Sequence, residues 1–205
     1  MYIASTPPWL RSFYPSLVWK INTSEKKLYL TFDDGPHETI TPFVLDTLKS
    51  FDAKATFFCI GKNVDENQEV YNRIIDEGHS VGNHTQNHLN GWKTSKYYYL
   101  KNIAVASQRI QSPLFRPPYG RISKAQIKDL QTFEPTYKII MWSVLSGDFD
   151  ENLTNEKCLK NVLKYSKEGS IIVFHDSAKA WERLQYALPK TLEHFSKQGF
   201  TFERL

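Results

Sequence analysis

The sequence predicts an α/β protein folded as a deformed, incomplete (β/α) barrel of about seven parallel strands. Short β-branched or aromatic runs alternate with longer amphipathic stretches across residues 28–205, which is the pattern of successive βα units. No glycine-rich phosphate-binding turn follows the first strand, so the barrel is favoured over a doubly wound open sheet, which remains the alternative. A chain of 205 residues can bury one substantial core, and we expect a single domain over residues 1–205.

Each predicted strand is a short run rich in β-branched and aromatic residues and bounded by turn-forming residues. The seven strands are predicted at residues 28–32, 55–60, 79–84, 114–117, 137–144, 170–175 and 200–203.

Two amphipathic helices are predicted between the first three strands. Residues 40–51 repeat apolar side chains at helical spacing, and residues 64–77 place Tyr71, Ile74 and Ile75 on the inner side. Gly78 follows the second helix and suits the left-handed position after a helix end. The same helix-to-strand joint is predicted at Gly169 and Gly199, each preceded by a basic last turn.

Residues 1–27 precede this pattern and form a predicted extension that covers an end of the catalytic barrel at 28–205. Its aromatic residues Trp9, Phe13, Tyr14 and Trp19 are expected to make that contact. No continuous apolar stretch follows a basic cluster in the first 20 residues, so no secretory signal is predicted. We expect a cytoplasmic location, with association with the cell envelope as the alternative.

Composition excludes several classes of protein. The net charge of +4 comes from dispersed basic residues, so nothing indicates nucleic-acid binding. No apolar run approaches the roughly 20 residues of a transmembrane helix. Cys59 and Cys158 are too few and too far apart for a disulfide framework or a thiolate metal site, and are expected to be buried and free.

The first chemical signal is Asp33-Asp34, which ends an apolar strand and is followed at once by Gly35-Pro36. Adjacent residues at a strand end point in different directions. One carboxylate can therefore bind a cation while its neighbour takes a proton from water. The alternative is an Asx-type turn in which an aspartate caps the following helix.

The second signal is His84-Thr85-Gln86-Asn87-His88, which puts two imidazoles four residues apart, the spacing of one helical turn, at the end of the third strand. With a carboxylate from the first strand end, they make the two-histidine, one-carboxylate set of catalytic zinc and related divalent metals. A polar loop is the alternative for the histidine pair alone.

Three further residues fall at the same predicted strand ends. Arg116 begins the stiff Arg116-Pro117-Pro118-Tyr119-Gly120 loop, and its permanent charge can orient a carboxylate. His175 ends a buried-strand pattern, and Asp148 can hold that histidine in its protonated form. A satisfied core histidine is the alternative for His175.

On these residues the chain resembles the polysaccharide deacetylases of carbohydrate esterase family four, over residues 27–205. The family is recognised by five ordered motifs. Here they read TFDDGP at 31–36, HTQNH at 84–88, RPPYG at 116–120, the segment 142–149, and VFH at 173–175.

The resemblance implies a deformed barrel with fewer than eight strands and assigns roles by motif position. Asp33 is the implied general base, and His175 is the implied acid that protonates the departing amine. Arg116 positions the base, Asp148 supports the acid, and the Tyr119 backbone N–H donates to the oxyanion. The implied metal ligands are Asp34, His84 and His88, which hold one divalent ion, with zinc expected and cobalt or another divalent ion as alternatives.

The fourth motif departs from the family pattern of two acids and a tryptophan. Leu145 stands where the first acid is usual, and Phe149 replaces the tryptophan, which puts the groove wall and substrate preference in doubt. One or two of the following aromatics are expected to stack on sugar rings: Trp92, Tyr97, Tyr98, Tyr99, Phe149 and Trp181.

The resulting hypothesis is metal-dependent hydrolysis of N-acetyl groups on a glycan, which releases acetate and a free amino sugar. The alternatives are a metal hydrolase acting on another amide or an O-acetyl ester, and an inactive sugar-binding relative. Composition does not choose among chitin fragments, peptidoglycan glucosamine or muramic acid, exopolysaccharide and lipid-linked sugars, and it does not predict an oligomeric state.

Overall fold

The computed structural model describes residues 3–133 and 136–205. Its strands are β1 (Lys27–Asp33), β2 (Ala55–Cys59), β3 (Ser80–Asn83), β4 (Leu114–Phe115), β5 (Lys138–Ile139), β6 (Val144–Leu145), β7 (Ile171–His175) and β8 (Thr201–Phe202). Its helices are α1 (Pro8–Phe13), α2 (Ile40–Ser50), α3 (Gly61–Glu66), α4 (Gln68–Asp76), α5 (Lys96–Ser107), α6 (Lys124–Leu130), α7 (Asn155–Tyr165) and α8 (Trp181–Lys197), with a 3₁₀ turn at Pro118–Gly120.

Seven strands form one curled sheet in the order β5-β4-β3-β2-β1-β7-β6, and every neighbouring pair is parallel. The short strand β8 lies off this path and pairs in parallel with β1. The predicted class, an incomplete barrel of parallel strands, is confirmed.

The strand predicted at 137–144 is two strands that lie at opposite ends of the sheet order. β5 pairs with β4 and β6 pairs with β7, and only residues 140–143 separate them. The Ile140 amide donates to the Phe115 carbonyl at 2.8 Å, and the Ser143 amide donates to the Ile171 carbonyl at 3.1 Å. The extended segment that contains β5 and β6 thus pairs first with β4 and then with β7, which brings the two ends of the sheet together.

The core lies between the sheet and the helices that follow its strands. Phe32 on β1 stacks on Phe57 at 5.0 Å and on Phe174 at 6.1 Å, and all three rings are buried. Burying each such ring contributes roughly 1.5–3 kcal/mol. Leu45 and Leu188, on α2 and α8, belong to the same cluster. This packing fixes β1 and β7, whose carboxyl ends bear the aspartates and His175.

The helix predicted at 64–77 is wrong in its extent, because the structure has α3 and α4 there with a break at Asn67. Asn67 has φ −131° and ψ 50°, and its Nδ2 donates to the carbonyls of Pro36 at 3.3 Å and Asn63 at 3.2 Å. Asparagine often favours such side-chain bonds over a continuous helix. Tyr71 and Ile74 are buried as predicted, whereas Ile75 is 46% exposed.

The three predicted glycine joints are confirmed, since Gly78, Gly169 and Gly199 have φ values of 80°, 73° and 77°. Only glycine takes this conformation readily.

The N-terminal segment runs beside the link between the two ends of the sheet. Ser5 bridges to Val144, Val18 to Ile140 and Lys20 to Ser170. Trp19 is buried and Tyr14 packs on the same hydrophobic cluster.

The expectation that Trp9 and Phe13 make this contact is wrong, because they are 61% and 64% exposed. Their rings contact each other edge to face at 6.2 Å on the six-residue helix α1, none of whose residues is buried.

Within residues 3–133 and 136–205, no helix combines the length and apolar character needed to cross a membrane. Cys59 and Cys158 are free and buried, as predicted.

Candidate active site

The predicted site residues meet at one edge of the sheet because parallel strands end together there. Asp33 ends β1 and His175 ends β7, and these two residues are register partners across the two strands. His84 directly follows β3, and Arg116 directly follows β4. Asp148 lies three residues beyond β6.

Asp34, His84 and His88 bring three possible ligand atoms together. Asp34 Oδ1 lies 3.6 Å from His84 Nε2 and 3.1 Å from His88 Nε2. One ligand atom from each residue lies within 4.8 Å of the others. This spacing suits one cation bound by two imidazoles and one carboxylate.

The environment of His84 leaves the Nε2 lone pair free for a ligand bond. His84 Nδ1 lies 2.8 Å from the Arg116 carbonyl oxygen, which only accepts, so the proton is on Nδ1. Burial lowers the pKa of His84 to about 4 and outweighs the nearby Asp33 carboxylate. The imidazole is therefore neutral at pH 7, as a metal ligand must be.

The chemistry of Asp34 fits a divalent cation. Its Oδ1 is buried and, within residues 3–133 and 136–205, has no hydrogen bond of regular geometry, although His88 Nε2 lies 3.1 Å away and His84 Nε2 3.6 Å away. Burial raises the pKa of this carboxyl, but the nearby imidazoles of His88, His175 and His84 outweigh it and hold the pKa below its usual range. A buried, unsatisfied carboxylate oxygen that faces two imidazole nitrogens is a site a cation would complete.

His84 and His88 lie on a loop, so the helical-turn spacing suggested by the sequence is wrong. Thr85 and His88 have φ values of 67° and 54°, a left-handed conformation that costs about 1–2 kcal/mol per residue. Side chains hold the loop in place: Asn83 Oδ1 accepts from the Thr85 amide at 2.8 Å, and Asn102 Oδ1 accepts from the amides of residues 86 and 87.

The Tyr119 side chain contacts His88, one of the three candidate metal ligands Asp34, His84 and His88, which we call the metal triad. Its hydroxyl lies 3.1 Å from His88 Nδ1, and the two rings are 4.5 Å apart. The residue has φ 59° inside the 3₁₀ turn, and its ring is 60% exposed. The sequence suggested a role for its backbone N–H alone and missed this contact with His88.

The buried guanidinium of Arg116 binds the Asp33 carboxylate. The guanidinium is fully buried, and Nη1 donates at 2.7 Å to both Asp33 Oδ1 and Thr31 Oγ1. Nε and Nη2 donate to the Ile140 and Met141 carbonyls. With its donors fixed by these partners, Arg116 sets the direction of the Asp33 carboxylate.

Asp148 holds His175 with both carboxylate oxygens. Oδ2 accepts from the His175 amide at 2.7 Å, and Oδ1 accepts from His175 Nδ1 at 2.8 Å. Burial on its own lowers the pKa of His175, but the charge and hydrogen bond of Asp148 reverse this and raise it to about 10. The ring is therefore protonated at pH 7, and its second donor is Nε2–H.

Arg183 and Asn161 fix the loop that carries Asp148, and sequence reasoning missed both. Arg183 Nε donates to the Asp148 carbonyl at 2.6 Å, and Asn161 Nδ2 donates to the Ser146 carbonyl at 3.0 Å. They come from α8 and α7, and no local motif marks them.

Asp176 is a second residue that the sequence analysis missed. Its Oδ1 accepts from the Gly35 amide at 3.0 Å, its Oδ2 accepts from Thr41 Oγ1 at 2.5 Å, and its own amide donates to the Asp33 carbonyl. A Cβ on Gly35 would lie 2.0 Å from Asp176 Oδ2. Burial raises the pKa of Asp176 to about 7. Its place directly after His175 was the available signal for a residue that holds the Asp33-Asp34 turn.

The two departures in the fourth motif have different surroundings. Leu145 is buried, and its amide donates to the Ala4 carbonyl at 2.8 Å. Phe149 lies edge to face against the His175 ring at 5.2 Å. Phe149 therefore forms part of the wall around His175, whereas Leu145 packs beside the N-terminal segment.

The other aromatics divide between core and surface. Tyr99 is fully buried, and Trp181 packs against Phe43 at 5.0 Å. Trp92, Tyr97 and Tyr98 are 59%, 68% and 64% exposed.

Comparisons with known proteins agree on one family. The family model described as "Polysaccharide deacetylase" matches residues 20–137. The chain is 36% identical over 193 residues to a peptidoglycan-N-acetylglucosamine deacetylase of Bacillus cereus, covering 91% of this chain and 89% of that protein. It is 31% identical over 199 residues to a peptidoglycan-N-acetylmuramic acid deacetylase of Bacillus subtilis, covering 90% and 72% respectively.

A solved structure shares almost the whole fold. The crystal structure of a peptidoglycan N-acetylglucosamine deacetylase, in complex with 4-naphthalen-1-yl-N-oxidanyl-benzamide, superposes with a TM-score of 0.87 at 31% identity. The match covers 98% of this chain and 95% of that one.

Proposed function

Because this chain belongs to the polysaccharide deacetylase family, we propose that its substrate is the N-acetylated glycan of peptidoglycan and that its site residues divide the hydrolysis between a base and an acid. The chain is a hydrolase that removes N-acetyl groups from glycans. Peptidoglycan as the particular polymer is supported by the named substrates of the relatives in Bacillus cereus and Bacillus subtilis. With this substrate, we propose the cell envelope, the alternative location named above, as the site of action.

The observation that carries this proposal is the buried Asp34 Oδ1, which faces His84 Nε2 at 3.6 Å and His88 Nε2 at 3.1 Å and has no hydrogen bond of regular geometry within the described residues. Family members are metalloenzymes. We assign zinc to the three residues because two imidazoles and one carboxylate are a common donor set for catalytic zinc. A divalent cation bound there supplies Lewis-acid polarisation of the acetamide carbonyl and acidifies water.

Asp33 is proposed as the general base. Arg116 Nη1 binds Asp33 Oδ1 at 2.7 Å, so the second oxygen, Oδ2, is the one presented to a water molecule. Asp33 takes a proton from that water molecule while the oxygen of the water attacks the acetamide carbon. A well-placed base of this kind contributes typically 10²–10⁴-fold to the rate, in order of magnitude.

His175 is proposed as the general acid. Its Nε2 gives a proton to the sugar nitrogen as the carbon–nitrogen bond breaks, so acetate and a free amine separate. Asp148 keeps the ring protonated before the step and fixes its orientation through Nδ1. The Tyr119 backbone N–H is proposed to donate to the oxygen that becomes negative during the attack.

The test is acetate release from peptide-free peptidoglycan strands and from N-acetylglucosamine oligomers. The protein is stripped with a chelator and then resupplied with zinc or with cobalt. Release that requires metal and is at least tenfold faster on peptidoglycan strands is expected. Ester hydrolysis is measured in parallel on an O-acetylated analogue of each substrate.

Asp33→Asn is the matched control because it preserves shape and removes the base. Acetate release that persists in Asp33→Asn, or that proceeds without metal, contradicts the assigned roles. Faster release from neutral oligomers would contradict peptidoglycan as the substrate while leaving the deacetylase reaction intact.

A further inference from the structure

Two surface segments begin at His88 and at Tyr119, which contact each other, and meet again at Trp92 and Arg121. One follows His88 and reaches Trp92, and the other follows Tyr119 and reaches Arg121. Arg121 Cα lies at most about 7.6 Å from Tyr119 Cα, because consecutive Cα atoms are about 3.8 Å apart. Trp92 lies four residues after His88, and Arg121 lies two residues after Tyr119, whose ring contacts His88; we call these two side chains the Trp92–Arg121 surface.

The Trp92 indole is exposed yet held in place. It is 59% exposed, its Nε1 donates to the Ile122 carbonyl at 3.0 Å, and its amide donates to Asn90 Oδ1 at 3.0 Å. The preceding Gly91 carbonyl accepts from Gln126 Nε2 at 2.9 Å. A large aromatic ring fixed in this way loses little freedom when a ligand packs on it.

Arg121 adds a positive charge that no carboxylate of the described residues pairs with. Its Cζ lies 4.2 Å from the centroid of the Trp92 ring. Among residues 3–133 and 136–205, no carboxylate lies within 4.0 Å of its guanidinium, and the exposed Lys93 and Lys124 on the same two segments are likewise unpaired. The Trp92–Arg121 surface is thus positively charged and open to an anion.

From these contacts we infer that the Trp92–Arg121 surface binds the sugar next to the one that loses its acetyl group, and that this neighbouring sugar bears a carboxylate. The inference rests on the proposed function, because it takes the ligand to be an N-acetylated glycan. The indole packs on the C–H face of the sugar ring, and the guanidinium beside it pairs with the carboxylate. A lactyl substituent or a peptide attached to it provides the carboxylate, whereas an N-acetylglucosamine oligomer is neutral.

Binding to a pair of matched oligosaccharides tests this inference. The zinc-loaded chain with Asp33→Asn, in which turnover is suppressed, is titrated calorimetrically. The first probe is a tetrasaccharide of alternating N-acetylglucosamine and N-acetylmuramic acid, and its twin has the lactyl carboxylates reduced to alcohols. A third probe carries peptides on the lactyl groups and distinguishes the two sources of carboxylate.

The charged probes are expected to bind about fivefold more tightly than the reduced twin at low salt, as for an exposed ion pair, and the preference falls as salt rises. Arg121→Gln brings the ratio close to one, and Arg121→Lys retains part of it. Trp92→Ala weakens the binding of every probe about fivefold, and Trp92→Phe retains part of the affinity that Trp92→Ala loses. The same ratios are expected in KM for the chain with Asp33 intact.

Lys164→Gln is the matched control. Lys164 Nζ also lies over an aromatic ring, 5.1 Å from that of Tyr165, but at the end of α7 that faces the opposite edge of the sheet. It is expected to change no affinity, and thermal unfolding of every variant verifies the fold.

The inference is overturned if the chain with Asp33→Asn binds all probes with equal affinity. It is also overturned if adding Arg121→Gln weakens the binding of all probes alike. Acetate release by the chain with Asp33 intact reports on the proposed function separately. Binding that follows the predicted pattern without acetate release would contradict the proposed deacetylation and would still support the Trp92–Arg121 surface as a sugar-binding subsite.

Discussion

Two histidines at the same edge of the sheet are held in opposite protonation states. Burial lowers the pKa of His84 to about 4, whereas the Asp148 carboxylate overcomes burial and raises that of His175 to about 10. Both rings use Nδ1 as a donor, to the Arg116 carbonyl in one case and to Asp148 in the other. A neutral carbonyl leaves the ring neutral, and a carboxylate leaves it charged.

This difference shows how one sheet edge supports both metal binding and proton donation. The half formed by Asp34, His84 and His88 offers lone pairs, and the half formed by His175 and Asp148 offers a proton. The partner of Nδ1, rather than depth of burial, decides which function each imidazole can serve. Substitutions within one half should disable that half and spare the other.

The largest loss of activity is expected from substituting either of the two adjacent aspartates, and the two variants should differ in metal content. Asp33→Asn should lower kcat about 10³-fold and retain the metal, because it removes only the proposed base. Asp34→Asn should lose both activity and metal, because it removes a ligand. Metal content measured beside acetate release distinguishes the two variants, and loss of metal from Asp33→Asn would show that Asp33 is itself a ligand.

Asp148→Asn should give the next largest effect, with kcat lowered about 10²-fold and the metal retained. Burial lowers the His175 pKa, and Asp148→Asn removes the largest contribution that opposes it, so the alkaline limb of the pH–rate profile should move to lower pH. An alkaline limb that stays in place would show that another group supplies the proton.

The same carboxylate should set the alkaline limit of stability in the metal-free chain. Because the folded-state pKa of His175 is raised above the unfolded value of 6.5, its stabilising contribution is complete below pH 6.5 and is lost as pH rises to about 10. Urea unfolding at several pH values should show this loss in the parent and not in Asp148→Asn.

A smaller effect is expected from Tyr119→Phe, which keeps the ring against His88 and removes the hydroxyl bound to Nδ1. Loss of such an outer partner of a metal ligand should weaken metal binding about tenfold while His175 keeps its charge. Competition with a chromophoric chelator measures the affinity, with Tyr165→Phe as the control. Unchanged affinity would mean that the hydroxyl does not orient His88.

The sequence could place these residues because parallel strands end at one edge. Asp33, His84, Arg116 and His175 each end or follow a strand, and strand periodicity is local information. Periodicity does not reveal which neighbour a strand joins, so the break between β5 and β6 inside residues 137–144 was not foreseen.

The supporting contacts were beyond the reach of the sequence because they join elements far apart in the chain. Arg183 bonds to Asp148 across 35 positions, and Asp176 reaches Gly35 across 141. The helix break at Asn67 likewise depends on the Pro36 carbonyl, which only the folded chain brings near.

Protonation of the individual imidazoles in the metal-free chain, followed by ¹⁵N NMR from pH 4 to pH 10, tests the opposition of His84 and His175 most directly. His84→Gln and His175→Gln variants assign the signals. His84 should remain neutral with its proton on Nδ1 down to about pH 4, and His175 should carry both protons up to about pH 10. Titration of both rings together near pH 6.5, or a proton on Nε2 of neutral His84, would contradict the division of the site into a metal-binding half and a proton-donating half.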